Sequence, residues 1–162
     1  MKILIVVNDK VLASSIPLEL EKAGNEVQCV TDGEAGLKSA LEQLFDLIVL
    51  DWALPKKDGL SVLKELRERE NITPIIILTA EGSVADIVVS LDSGANTCVT
   101  KPFDMRVLIA KMNVLIRRSK MVRGAEIRYA HITLDPVTHK VWSGGRKLDL
   151  TGKEYDLLAY FM

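Results

Sequence analysis

Two cysteines and two histidines are all that 162 residues offer of the side chains that staple small domains or ligate transition metals. Cys29 and Cys98 are too few for a disulfide framework. Both fall in stretches that read as strands, where a small buried apolar residue is the simplest expectation. His131 and His139 fall late in the chain, near no cluster of acids, and suggest no metal site. No apolar run approaches the roughly 20 residues of a membrane-spanning helix. No leader precedes the first strand, so the reading is a cytoplasmic protein with no membrane partner. A nucleotide-binding glycine fingerprint and a catalytic histidine are also missing. Charge of one sign is scarce too. The net charge is −1, which argues against a strong field for nucleic acid or membrane. Residues 1–118 hold 14 Lys/Arg and 17 Asp/Glu, a balance of −3; residues 119–162 hold 7 and 5, a balance of +2.

What the chain does have is apolar residues, 48% of it, against 27% charged, which calls for a packed core. The most informative stretch is Asp46-Leu47-Ile48-Val49-Leu50-Asp51-Trp52-Ala53-Leu54-Pro55-Lys56-Lys57-Asp58-Gly59. A continuous apolar run is the signature of a strand buried on both faces of a parallel sheet. Ligand sites in such sheets lie at the carboxyl ends of the strands, which is where Asp51 falls. Two further runs, Ile75 to Ala80 and Cys98 to Phe103, end in Thr79 and Lys101. An acid, a hydroxyl and a lysine at three strand ends form a set suited to handling a phosphoryl group.

The order of elements supports this. Strands are predicted near Lys2–Val7, Glu26–Val30, Asp46–Leu50, Pro74–Leu78 and Thr97–Val99. Helices are predicted near Lys10–Ala23, Gly33–Leu41, Leu60–Glu70, Val84–Ser93 and Met105–Arg118. Strict alternation implies an α/β fold, a doubly wound five-stranded parallel sheet of flavodoxin-like order 2-1-3-4-5. Pro17 inside the first helix removes a backbone donor and crowds the carbonyl of Ala13. Residues 119–128 read as a polar linker containing Gly124. Beyond it, Asp135-Pro136 and Gly144-Gly145 mark turns between short antiparallel strands. Thr151 and Glu154 form a capping box, followed by Leu157, Leu158 and Phe161 at helical spacing.

The strand-end Asp51, Thr79-Ala80 and Lys101-Pro102-Phe103 together resemble the receiver (CheY-like) domain of two-component response regulators, over residues 1–118. Residues 129–162, through Leu148-Asp149-Leu150-Thr151-Gly152-Lys153-Glu154-Tyr155-Asp156-Leu157-Leu158, resemble the start of the winged-helix effector domain of OmpR/PhoB-type regulators. The match stops within that domain's first helix, so DNA binding is expected of a full-length form only. The resemblance implies a regulator of transcription. It is not an enzyme beyond accepting a phosphoryl group from a partner sensor histidine kinase.

By that resemblance Asp51 is the phosphoacceptor, and Thr79 and Lys101 hold phosphoryl oxygens. A Mg²⁺ ion would bind Asp51, the backbone carbonyl of Ala53 and an acid pair after the first strand. The pair falls on Val7 and Asn8. Valine has no side-chain oxygen and Asn8 offers one neutral amide oxygen, whereas Mg²⁺ prefers carboxylates. Mg²⁺ is therefore expected to bind weakly or not at all. Asp9 reads as an N-cap, and Lys101-Pro102 as the family's cis-prolyl junction. Members of this type dimerise through the fourth helix, fifth strand and fifth helix. Here Val89, Asn96, Thr97 and Val107 replace charges on that face, while Lys111 keeps its own. Cys98 stands where receivers carry a switching aromatic. Leu108, Met112 and Leu115 form the fifth helix's core stripe, leaving Val107 and Val114 to face outward. The alternative to a phosphorylation switch is thus a phosphorylation-independent module that dimerises constitutively. The missing glycine fingerprint and catalytic histidine argue against an unrelated flavodoxin-like enzyme.

Overall fold

The computed structural model describes the chain except for residues 81–83, 124–126, 131, 136–139, 145, 149 and 162. It contains two compact units, Met1–Ile116 and Arg117–Met162.

In the first unit β1 (Lys2–Val6), β2 (Glu26–Val30), β3 (Leu47–Asp51), β4 (Ile75–Thr79) and β5 (Thr97–Thr100) form a parallel sheet of order β2-β1-β3-β4-β5. The helices are α1 (Lys10–Lys22), α2 (Gly33–Glu42), α3 (Gly59–Glu68), α4 (Val84–Asp92) and α5 (Met105–Arg123), of which residues 105–116 belong to this unit. The central strands β3 and β4 are buried at every position, as their unbroken apolar runs require. Alternate residues feed two cores. Ile3, Ile5, Val7, Val49, Ile76 and Leu78 pack with Ile16 and Leu20 of α1 and Leu108, Met112 and Leu115 of α5. Leu4, Val6, Ile48, Leu50 and Ile77 pack with Leu37 of α2 and with Val62, Leu63 and Leu66 of α3. Each fully buried aliphatic side chain contributes about 1.5–3 kcal/mol, so the sheet fixes the strand ends firmly.

Among the described residues, four helices start on an aspartate, the fourth being Asp104 before α5, which accepts from the Arg106 amide at 2.8 Å. Asp9 accepts from the amides of Val11 and Leu12 at 2.8 and 2.9 Å, Asp32 from that of Ala35 at 2.8 Å, and Asp58 from that of Ser61 at 2.9 Å. Pro17 sits inside α1 and cannot donate to the Ala13 carbonyl; the Cys29 thiol lies 3.8 Å from that oxygen. Arg67 closes the opposite end of the sheet. Its Nε donates to the Gly94 carbonyl at 3.0 Å, its Nη1 to the carbonyls of Asn71 and Thr73 at 2.5 and 3.1 Å, and its Nη2 to Asn96 Oδ1 at 3.2 Å. Burial among these neutral acceptors holds the guanidinium pKa below its ordinary value.

In the second unit β6 (Ile127–Tyr129), β7 (Ile132–Asp135), β8 (Lys140–Ser143) and β9 (Arg146–Leu148) make an antiparallel sheet in chain order, followed by α6 (Gly152–Phe161). Leu134, Val141 and Tyr155 form its small core. The Thr151 amide donates to Glu154 Oε2 at 2.7 Å and the Glu154 amide to Thr151 Oγ1 at 3.4 Å, the reciprocal pair of a capping box.

Several sequence expectations need correction. Helix α5 continues to Arg123, through half of the stretch read as a 119–128 linker. Ser119 to Arg123 contains no breaker, and Gly124 is the first residue that would stop a helix. Strand β6 had no signal of its own. Cys29 is exposed, because β2 is an edge strand; Cys98 is buried as expected. Leu157 is exposed and Leu158 packs on the core. Pro136, Gly145, Gly124 and the Phe161 side chain lie outside the described residues. Among those described, no helix is long and apolar enough to cross a membrane.

Candidate functional site

Asp51 ends β3, and its side chain is only 3% exposed. The register brings its neighbours alongside. The Trp52 amide donates to the Leu78 carbonyl at 2.9 Å, and the Lys101 amide to the Thr79 carbonyl at 2.7 Å. Asp51, Thr79 and Lys101 thereby meet at adjacent strand ends, as the sequence predicted. The Lys101–Pro102 bond is cis, also as predicted. Lys101 Nζ donates to both carboxylate oxygens of Asp51, at 3.0 and 2.9 Å. The Ala53 amide donates to Oδ1 at 3.3 Å. The Lys101 side chain remains 27% exposed, so the pair has one buried and one wetter end. The Thr79 hydroxyl is fully buried and has no hydrogen-bond partner among the described residues. Such an orphan costs about 1–3 kcal/mol, and it lies one strand from the carboxylate.

The positions after β1 behave differently. Val7 is fully buried and belongs to the α1/α5 core, whereas Asn8 is exposed. Asp9 is the α1 cap, as read from the sequence. No group of three or more His, Cys, Asp or Glu suited to a metal occurs among the described residues.

Three supports were not singled out beforehand. Gly59 lies so close to the site that a Cβ there would stand 2.1 Å from the Asp51 carbonyl oxygen; the Asp58-Gly59 pair after the strand was the available signal. Lys56, at a positive φ of 65°, reaches Asp32 Oδ2 at 3.0 Å and ties the β3–α3 loop to the β2–α2 turn. The Ala35 amide first, and then the Lys56 ammonium, pull the Asp32 carboxyl below its usual range. The third is a cleft beside Lys101.

The response regulator receiver domain model matches residues 3–113. The chain belongs to the response regulator family. Its relatives place it with the OmpR/PhoB type. It is 40% identical to the response regulator protein PmrA of Pseudomonas aeruginosa over 162 residues, which is all of this chain and 73% of that one. The receiver domain of the Francisella response regulator 1452 superposes with a TM-score of 0.70 at 36% identity, covering 73% of this chain and 98% of that one. The receiver domain of sensor histidine kinase PA1611 from Pseudomonas aeruginosa PAO1 gives 0.66 at 35% identity, covering 72% and 97%. That receiver was solved with a magnesium ion coordinated in its active-site cleft. The five-stranded sheet of this response regulator is thus the CheY-like receiver, and two-component signalling is its context.

Helix α4 exposes Val84, Val88, Val89 and Leu91, and α5 exposes Val107. Val114 is half-buried rather than outward-facing. Lys111, the charge retained on α5, donates to the Cys98 carbonyl at 2.7 Å. Burial raises the Cys98 thiol above its ordinary pKa.

Proposed function

We propose that this response regulator controls transcription through a receiver in which Asp51 is the phosphoacceptor and the metal site is degenerate. One observation carries the reading: Lys101 occupies both oxygens of Asp51, while Val7 and Asn8 supply no charge. The Asp51 carboxylate and the Lys101 ammonium cancel, and Asp9, which lines the cleft beside Lys101, is engaged as the cap of α1. A hard divalent cation prefers several carboxylate or carbonyl oxygens. The donors here, a lysine-paired Asp51, the Ala53 carbonyl and the Asn8 amide, do not suit one. Mg²⁺ is therefore weak or absent.

In the proposed reaction an Asp51 oxygen attacks the phosphorus of a phosphohistidine on a sensor kinase. The P–N bond breaks and its electron pair leaves with the imidazole. Positioning and charge stabilisation dominate such transfers. Lys101 releases one Asp51 oxygen and meets the phosphoryl oxygens, and the orphan Thr79 hydroxyl donates to another. Residues 1–118 form the receiver in this reading, and 129–162 resemble the start of a winged-helix DNA-binding domain. The test supplies phosphoramidate and follows the mass of the phosphorylated protein with Mg²⁺ and with chelator. Comparable, slow modification in both, abolished by Asp51→Asn, is expected. Strong stimulation by sub-millimolar Mg²⁺ would overturn the degenerate-site reading.

The exposed valines on α4 and α5 favour a second reading, a module that dimerises without phosphorylation. Contiguous apolar surface marks interfaces. In it, unphosphorylated protein is a dimer by light scattering, and Val107→Glu gives a folded monomer. Monomeric wild-type protein at high concentration would end this reading.

A further inference from the structure

A cleft of about 420 Å³ opens beside the Asp51–Lys101 pair, lined by Asp9, Val11, Leu12, Ala80, Lys101, Pro102 and Phe103. Small-molecule sites span about 300–1,000 Å³ and combine apolar walls with a few convergent polar groups. This cleft has that make-up. Leu12 and Phe103 are half-buried, Val11 is 72% exposed at the rim, and two opposite charges share the lining. Both charges have capacity to spare. Asp9 uses Oδ1 for the helix cap, and Oδ2 has no partner among the described residues. The Lys101 ammonium has three N–H groups, and two of them go to Asp51.

We infer that this cleft binds a zwitterionic small molecule of amino-acid type with a large apolar side chain. The ligand's ammonium pairs with the free oxygen of Asp9. Its carboxylate accepts the third N–H of Lys101. Its side chain lies against Leu12, Pro102 and Phe103, with an aromatic ring gaining an extra contact from Phe103. A carboxylate on Lys101 also competes with Asp51 for the same ammonium. Ligand binding therefore loosens the pair that closes the site. The inference rests on the cleft alone and does not require Asp51 to accept a phosphoryl group.

The test uses the full chain, isotope-labelled, with L-phenylalanine as probe and amide shifts of Val11, Leu12, Lys101 and Phe103 as readout. N-acetyl-L-phenylalanine lacks the ammonium and L-phenylalanine amide lacks the carboxylate. Each should bind about tenfold more weakly, the worth of one charged hydrogen bond. Asp9→Asn keeps a good N-cap and so preserves α1. It should weaken L-phenylalanine about tenfold and leave N-acetyl-L-phenylalanine unchanged. Equal binding of the three probes, an Asp9→Asn variant with wild-type affinity, or no shift of these amides at millimolar L-phenylalanine would each overturn the inference.

Discussion

Replacing Lys101 by methionine should destabilise the receiver more than replacing its partner, and the asymmetry can be worked out from exposure. Removing one member of a buried ion pair costs about 3–5 kcal/mol, because the other charge is stranded. Lys101→Met strands Asp51, whose side chain is 3% exposed and keeps, among the described residues, only the Ala53 amide at 3.3 Å. Since water reaches the lysine end, 27% exposed, the loss is discounted to about 2–3 kcal/mol. Asp51→Asn leaves an ammonium that can turn to solvent, at a cost of about 1 kcal/mol. The double variant strands nothing and should cost about 1–2 kcal/mol, less than the sum of the singles. Urea unfolding followed by Trp52 fluorescence, in a Trp142→Phe background, reads the receiver alone. With a slope of about 1–2 kcal/mol/M, the Lys101→Met midpoint falls by about 1.5 M. The reasoning is refuted if Asp51→Asn proves the costlier single change, or if the singles add to the double within about 0.5 kcal/mol.

Gly59→Ala would drive a methyl into the Asp51 carbonyl; a loss of about 1–3 kcal/mol should appear as a lowered Tm, and an unchanged Tm would show the close approach to be unimportant. Asn8→Asp alone should not confer tight Mg²⁺ binding, whereas Val7→Glu with Asn8→Asp should. Because Val7 is fully buried, that double variant should be less stable without metal and regain about 2.7 kcal/mol at a hundredfold excess of Mg²⁺ over its Kd. The Asp104 carboxyl is lowered from 3.8 to about 2, first by the side chain of Arg106 and then by its amide. A depressed acid stabilises the fold above its unfolded pKa and loses that contribution as pH falls from about 4 to about 2. A carboxyl-detected NMR titration should give a midpoint near 2 that rises in Arg106→Ala.

Much of the receiver could be read because its signals are strong. Buried parallel strands have no polar residues until their ends, so Asp51, Thr79 and Lys101 stand out at their strand ends. Asp9 was readable as a cap from its place before a helical pattern. What escaped depended on tertiary context. Cys29 was misread because the alternation of a strand does not say whether it lies at an edge. The extension of α5 to Arg123 escaped because charged and polar residues are good helix formers and poor linker markers. The burial of Val7 follows from its place at the end of the first predicted strand. What the sequence could not give is which of the two cores Val7 joins, the one that includes Ile16 and Met112. The cleft beside Lys101 had no sequence signal, since Val11 and Leu12 come from α1, Pro102 and Phe103 from the loop between β5 and α5, and each has an ordinary explanation alone.

The Arg67 fork has a consequence for how this sequence can drift. A planar guanidinium reaches several acceptors at once, and an ammonium cannot imitate it. Lysine at 67 would satisfy one carbonyl and leave the remaining acceptors to water. Gly94 is bound into the same arrangement: its φ is 101°, and a Cβ there would stand 3.1–3.4 Å from the Arg67 side chain. Asn96 is held too, because its Oδ1 also accepts from the Ile75 amide at 2.9 Å. Positions 67, 94 and 96 therefore form a unit of substitution, in which a change at one lowers fitness until another compensates. Pairwise covariation among homologous sequences should link these three positions more strongly than any of them is linked to the pocket around Asp51.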